Sequence, residues 1–89
     1  MHSAILSVEM PEQQITRAWT VFWTLTEAAR ASAATKQLSE NVWLINVQQS
    51  PAAFAQLVAA CEQQKFRYEV LAIEHEPRWL PVGFDPKPT

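Results

Sequence analysis

The spacing of hydrophobic residues changes period several times along this chain of 89 residues. Apolar and polar residues alternate over residues 3–10, which is typical of a strand with one buried face. From residue 12 to about residue 31, apolar residues recur at steps of three and four, which predicts an amphipathic helix. A chain that mixes these two periods is expected to fold as an α+β domain in which helices cover a sheet.

Two further strands and one further helix are predicted in the second half of the chain. Residues 42–48 are rich in β-branched and aromatic side chains and have polar turns on either side, which predicts a strand. Residues 68–74 predict the last strand. Between them, Ser50 is followed by a proline, which predicts the start of a helix with a hydroxyl N-cap.

Residues 33–38 have two interpretations. They extend the first helix, because alanine favours helix, or they form a short strand that pairs with residues 42–48 through a turn at residues 39–41. We favour the strand, since it completes the order βαββαβ of the ferredoxin-like fold, an antiparallel sheet with two helices on one face. In that arrangement we expect the first and last strands in the centre of the sheet and its other face open.

The last thirteen residues differ from the rest of the chain in composition. Residues 77–89 contain four of the six prolines, together with Trp79, Leu80 and Phe84. Proline interrupts regular structure, so we expect the ferredoxin-like domain to span residues 1–76. The apolar side chains of the tail are expected to pack on the body of the protein or on a partner.

Composition excludes several classes of protein. The one glycine, Gly83, rules out phosphate-binding loops and nucleophile elbows, because each needs several glycines. The net charge is −2 and the seven cations are scattered, which argues against nucleic acid as a partner. The lone cysteine, Cys61, cannot form an internal disulfide, and it falls on the apolar stripe of the second helix as a core residue. Without a basic leader or a membrane-length apolar run, we expect a cytoplasmic protein with no membrane partner.

Two segments resemble a known group of small proteins. Residues 37–45, QLSENVWLI, and residues 68–73, YEVLAI, are similar to ferredoxin-fold proteins grouped around virulence-associated protein D, SinR-like proteins and the CRISPR adaptation nuclease. In that group a leucine-serine-tryptophan hairpin leads into the third strand, and an aromatic C-terminal stretch comparable to Trp79 follows the last strand. The resemblance implies a ferredoxin-like fold and dimerisation through the sheet edge or the C-terminal tail.

The same resemblance implies an enzymatic alternative. Nuclease members of the group place an aspartate near the end of the first strand, where it serves a metal shared across a dimer. Glu9 stands at the corresponding position, although the group has a tyrosine-aspartate pair where this chain has Val8 and Glu9. In this alternative Glu9 is catalytic and holds Mg²⁺ or Mn²⁺.

A second metal candidate is His75, which lies between Glu74 and Glu76. Side chains alternate across a strand, so this histidine points away from its two neighbours unless the strand breaks there. For both His75 and Glu9, a solvated side chain with no metal and no catalytic role is the simpler interpretation, and it is the one we adopt.

Four tryptophans and four phenylalanines are a large aromatic content for so short a chain. We expect Trp19, Phe22 and Phe54 to lie in the core. Because aromatic residues are enriched at the centres of protein interfaces, the remaining large apolar residues are expected to lie at a contact. The predicted interface residues are Trp23, Trp79, Leu80 and Phe84.

Two functional hypotheses follow from these observations. The first is a non-enzymatic interaction or regulatory protein without a cofactor, which acts as a homodimer and has another protein as a further partner. The second is the metal-dependent nuclease that uses Glu9. We favour the first, because no catalytic constellation accompanies the aromatic residues and the open sheet face.

Overall fold

A four-stranded antiparallel sheet and three helices make up the part of the chain that the computed structural model describes, residues 1–9 and 17–79. The predicted α+β class and the antiparallel sheet are confirmed. In chain order the elements are β1 (Ser3–Val8), α1 (Arg17–Leu25), α2 (Glu27–Ala31), β2 (Thr35–Ser39), β3 (Val42–Asn46), α3 (Pro51–Gln64) and β4 (Tyr68–Ile73).

The helix predicted over residues 12–31 is divided at Thr26. The Thr26 hydroxyl donates a hydrogen bond to the Phe22 carbonyl at 2.9 Å, and the Thr26 N–H donates to the same oxygen at 3.0 Å. A threonine that bonds back to the preceding turn in this way bends a helix. The expectation of two helices is therefore wrong for the described residues, in which α1 and α2 occupy the place of one. The predicted start of this helix, at residue 12, lies outside them.

The short second strand is present. β2 pairs antiparallel with β3, which confirms the strand interpretation of residues 33–38, although the strand begins two residues later. Its register shifts between Gln37 and Ser39, as at a β-bulge. Beyond the turn, the Asn41 side-chain amide donates to the Val8 carbonyl at 2.7 Å, which joins the hairpin to the end of β1.

The helix α3 starts where the sequence predicts. The Ser50 hydroxyl oxygen accepts a hydrogen bond from the Ala53 N–H at 3.2 Å, and a proline occupies the first helical turn, which confirms the predicted N-cap. At the other end Lys65 has a left-handed backbone with φ of 59°. A side chain with a Cβ is unfavourable in that conformation, which glycine adopts most easily.

The strand order in the sheet is β2-β3-β1-β4. The expectation that the first and last strands are central is therefore half wrong, because the first and third strands are central and β4 is at an edge. The reason is that β1 pairs with both β3 and β4, so each helical connection passes over one strand before the chain re-enters the sheet.

One face of the sheet and the helices enclose the hydrophobic core. Cross-strand pairing places Ala4 opposite Ile45 and Leu6 opposite Trp43, so these side chains share a face, and all are buried. The helices contribute the buried residues Phe22, Ala29, Ala53, Leu57, Ala60 and Cys61. The predictions of Phe22 and Cys61 as core residues are thus confirmed, whereas Trp19 and Phe54 pack against the core and are only partly buried.

Candidate functional site

The edge strand β4 has apolar side chains that the described helices leave exposed. Val70 lies opposite Leu6 and faces the helical side of the sheet, yet Val70 is 40% exposed whereas Leu6 is fully buried. On the other face, Leu71 is 62% exposed. The helical layer therefore covers β1 and β3, whereas on β4 it packs on Tyr68 but leaves Val70 exposed, so this strand presents apolar surface on both of its faces.

The backbone of β4 is also available at its outer edge. The N–H of Glu9 donates to the Arg67 carbonyl at 2.8 Å, which marks Arg67 as a residue whose polar groups point toward β1. Because backbone groups alternate along an antiparallel strand, the N–H and C=O groups of Tyr68, Val70 and Ala72 point away from β1. Within residues 1–9 and 17–79, no strand pairs with this outer edge.

Three apolar side chains lie in line across the face of the sheet opposite the helices. Leu44 on β3 pairs with Ile5 on β1, which in turn pairs with Leu71 on β4. We call Leu44, Ile5 and Leu71 the apolar row. It starts from a buried residue, Leu44, and ends in an exposed one, Leu71.

The chain beyond β4 returns over the other side of this face. Leu44, Pro77 and Trp79 line one groove of about 290 Å³, and the Lys36 ammonium on β2 lies 4.0 Å from the centroid of the Trp79 ring. A cation at this distance from the face of an indole ring is attracted by the π electrons of the ring. The end of the apolar row on β3 is therefore partly covered, and the end on β4 is left accessible.

The two ends of β4 differ in charge. Lys65 and Arg67 precede the strand, whereas Glu74 and Glu76 follow it, and all four are exposed. The Glu74 carboxylate lies 3.4 Å from the N-terminal amine. The strand is thus flanked by cations at its start and by anions at its end.

Near the start of β4 lies a cleft of about 730 Å³ that includes the predicted catalytic alternative, Glu9. Asn41, Arg67 and Glu69 also line this cleft, and the Glu9 side chain is exposed. Among residues 1–9 and 17–79 no group of three or more histidine, cysteine, aspartate or glutamate side chains is placed to hold a metal ion.

The structure does not bring the two metal candidates together within one chain. Glu9 is paired with Arg67 at one end of β1, whereas His75 follows Ile73, which pairs with Ser3 at the other end. The six residues of β1 separate these ends by about 20 Å at the usual rise of a strand.

A hydrogen bond that sequence reasoning missed joins α3 to β4. The Tyr68 hydroxyl donates to the Glu62 carboxylate at 2.6 Å, and this bond raises the pKa of Tyr68, with smaller contributions from burial and from the negative charge of Glu62. The six-residue separation gives no helical or strand spacing that would have indicated it.

The predicted interface tryptophans lie on opposite sides of the sheet. Trp23 is 36% exposed, and its ring packs toward the core at 6.4 Å from Trp43. Trp79 is 61% exposed and lies over Lys36 on the other face. The remaining two predicted interface residues, Leu80 and Phe84, lie outside the described residues.

Arg30 lies over one face of the Trp23 ring. Its guanidinium lies 3.7 Å from the ring centroid and donates to the Trp23 carbonyl at 2.6 Å and to the Thr26 hydroxyl at 3.1 Å. Partial burial lowers the pKa of Arg30, an effect that the nearby Glu27 opposes. These bonds hold Trp23 within its own helical layer, so it is a weaker interface candidate than the side chains of β4.

The cysteine thiol is buried among the core residues. Cys61 is fully buried, and desolvation, with a smaller effect from Glu62, raises its pKa to about 11. A thiol in this state is a poor nucleophile.

Sequence reasoning predicted the last strand but not that it would lie at an edge with exposed apolar side chains on both faces. A signal was present in the opposite charges that flank it, because strands with a free edge often have charged residues nearby.

The longest helix in the described ranges, α3, has 14 residues, and no helix there is long and apolar enough to cross a bilayer. Comparison of the chain with protein-family models, curated proteins and solved structures gives no match.

Proposed function

We propose that this protein is a non-enzymatic interaction or regulatory protein that acts as a homodimer and binds another protein in the cytoplasm. The observation that carries the proposal is the exposure of β4, where Val70 and Leu71 leave apolar surface on both faces of a strand whose outer edge pairs with none of the described strands. Exposed apolar surface next to unpaired strand groups is the usual recognition element for a protein partner. The lone cysteine accords with a reducing compartment.

We further propose that the fold is ferredoxin-like and that the domain ends near residue 76. Support comes from the connections: β1 and β2 are separated by β3, and β3 and β4 are separated by β1, as in a split βαβ arrangement. The divided first helix counts as one connection in this scheme, since Thr26 continues the hydrogen bonding from α1 into α2.

The direct test of self-association is the mass in solution. We expect sedimentation equilibrium at micromolar concentrations to give twice the chain mass of 10.1 kDa. Replacing Leu71 by lysine introduces a charge at the exposed end of the apolar row and is expected to shift the equilibrium toward the monomer. The matched control is Leu38→Lys, because Leu38 is 38% exposed on the opposite edge strand. A monomer at every concentration would contradict self-association, and equal weakening by both variants would contradict β4 as its surface.

A second candidate function is the metal-dependent nuclease, and the observation that favours it is the cleft at Glu9. Two carboxylates, those of Glu9 and Glu69, line this cleft beside Arg67, and carboxylate oxygens are preferred ligands of Mg²⁺. RNA and DNA should be incubated with the parent protein and with Glu9→Gln in the presence of Mg²⁺ or Mn²⁺. Cleavage by the parent alone supports this function, while equal cleavage by both proteins or none by either excludes it.

A further inference from the structure

We infer that two copies of the chain join through their β4 strands, antiparallel and with Leu71 opposite Leu71, to form one continuous sheet of eight strands. This inference rests on the proposed self-association and specifies its surface. The outward N–H and C=O groups of Tyr68, Val70 and Ala72 are the groups that such a pair would use. Pairing satisfies them and covers the apolar side chains beside them in the same step.

The charges at the ends of β4 select the antiparallel direction. A parallel pair would place the cations Lys65 and Arg67 of the two copies side by side, and likewise the anions Glu74 and Glu76. An antiparallel pair brings the cationic start of each strand to the anionic end of the other. Like charges directly opposite each other destabilise a strand pair, whereas opposite charges stabilise it.

Symmetry then restricts the register. Two copies of one strand pair antiparallel about a two-fold axis perpendicular to the sheet, and residues directly opposite each other share a face. A residue of β4 therefore lies opposite itself or opposite a residue an even number of positions away. The two registers centred on Tyr68–Ile73 place Val70 opposite Val70 or Leu71 opposite Leu71.

The side chains favour the second of these registers. When Val70 is opposite Val70, Leu71 faces Glu69 of the second copy, which brings a carboxylate onto an apolar side chain. When Leu71 is opposite Leu71, Glu69 faces Ile73, which is less exposed than Leu71. The exposed end of the apolar row then continues into the second copy, because Leu71 already pairs with Ile5. Val70 then lies opposite Ala72, and these two exchange backbone hydrogen bonds.

This register also places Arg67 at the level of His75 of the second copy, between its two neighbouring glutamates. A second copy is therefore a better occupant of this edge than an unrelated apolar peptide, since it brings anions to the cationic start of β4 and cations to the anionic end. Binding of a peptide strand by a monomer is one of the outcomes that the experiment can return.

The test uses single cysteines in the Cys61→Ser background. Leu71→Cys, Val70→Cys and the control Leu38→Cys are oxidised under identical mild conditions, and covalent dimers are measured on non-reducing gels, while sedimentation of the reduced parent reports its mass. Opposite residues in a non-hydrogen-bonded pair have the separation that a disulfide requires. We expect Leu71→Cys to form dimers at least about tenfold faster than Leu38→Cys, with Val70→Cys slower than Leu71→Cys.

The possible results separate this inference from the function on which it rests. A parent dimer in which Val70→Cys reacts fastest overturns the register, and a parent dimer in which neither β4 variant exceeds Leu38→Cys overturns pairing through β4 but leaves self-association standing. A monomeric parent overturns both self-association and the pairing of two β4 strands. The same conclusion holds if the monomer binds an added peptide with the β4 sequence.

Amide hydrogen exchange of the parent protein gives a second measurement that needs no variant. The N–H groups of Val70 and Ala72 point outward, so they are expected to exchange slowly when dimer forms and faster on dilution. Rapid exchange of both amides in a sample that sedimentation shows to be dimeric would overturn the inference.

Discussion

Replacing Trp43 by phenylalanine should lower the free energy of unfolding by less than is usual for a substitution at the centre of a core. Trp43 is fully buried on β3, 5.9 Å from the ring of Phe22, and among residues 1–9 and 17–79 its indole N–H has no hydrogen-bond partner. An unsatisfied buried donor destabilises the folded state by about 1–3 kcal/mol. Trp43→Phe removes that donor, so the loss of packing is partly offset.

The magnitude follows from a comparison with Phe22→Leu. Both substitutions remove about three non-hydrogen atoms from fully buried rings, and at about 0.8 kcal/mol for each buried group, with an added cavity term, Phe22→Leu should cost about 2–4 kcal/mol. Trp43→Phe loses the same packing, but it also removes the unsatisfied N–H, which is a gain in stability. The free energy of unfolding should therefore fall by a net of only about 1 kcal/mol.

Urea unfolding followed by far-ultraviolet circular dichroism measures the two free energies of unfolding. The comparison holds if both variants keep the parental slope with urea, which shows that the same surface is exposed on unfolding. A cost for Trp43→Phe equal to or larger than that for Phe22→Leu would refute the reasoning, because the indole N–H would then be contributing to stability.

Three further predictions concern single groups. Because burial raises the pKa of Cys61 to about 11, the thiolate fraction of Cys61 at pH 8 should be roughly a hundredfold lower than that of an ordinary thiol. A thiol reagent should therefore label the protein only after urea unfolding, and fast labelling of the native protein would contradict this. Lys65→Gly should raise the free energy of unfolding in urea by about 0.5–1 kcal/mol, since glycine adopts the left-handed conformation without strain, whereas Lys65→Ala, which also loses the charge, should not. The pKa of Tyr68, the one tyrosine, is raised in the folded protein. Its hydrogen bond therefore contributes stability that is fully present below the unfolded pKa of about 10, and this contribution is lost as the pH rises through the folded pKa. Tyrosinate absorbance should therefore titrate at higher pH in the native protein than in urea, and Glu62→Gln should reduce the difference.

Helices and strands of this fold could be predicted from the sequence where neighbouring residues determine them. Alternation over residues 3–10 and the hydroxyl-proline pair at Ser50 located a strand and a helix start, because side-chain period and N-capping depend on neighbours in the sequence. The division at Thr26 was missed, since the apolar period continues through it from Phe22 to Ala29 and gives no sign of the hydroxyl bonding to the preceding turn.

Position within the sheet could not be read in the same way. The residues of β4 would show the same pattern in the centre of a sheet, because strand order depends on pairing between segments far apart in the chain. The exposure of Leu71 follows from that order. For the same reason, aromatic content indicated a contact surface but could not show that Trp23 and Trp79 lie on opposite sides of the sheet.

The bulge between Gln37 and Ser39 sets a limit on how far the sheet can grow. In a dimer joined through β4, the two outermost strands are copies of β2, which is short, has an irregular register and has Lys36 held under Trp79. Lysines and bulges at an edge hinder the addition of further strands. Assembly should therefore stop at two chains instead of extending into filaments, and straightening the β2 edge would be the change that opens a route to aggregation.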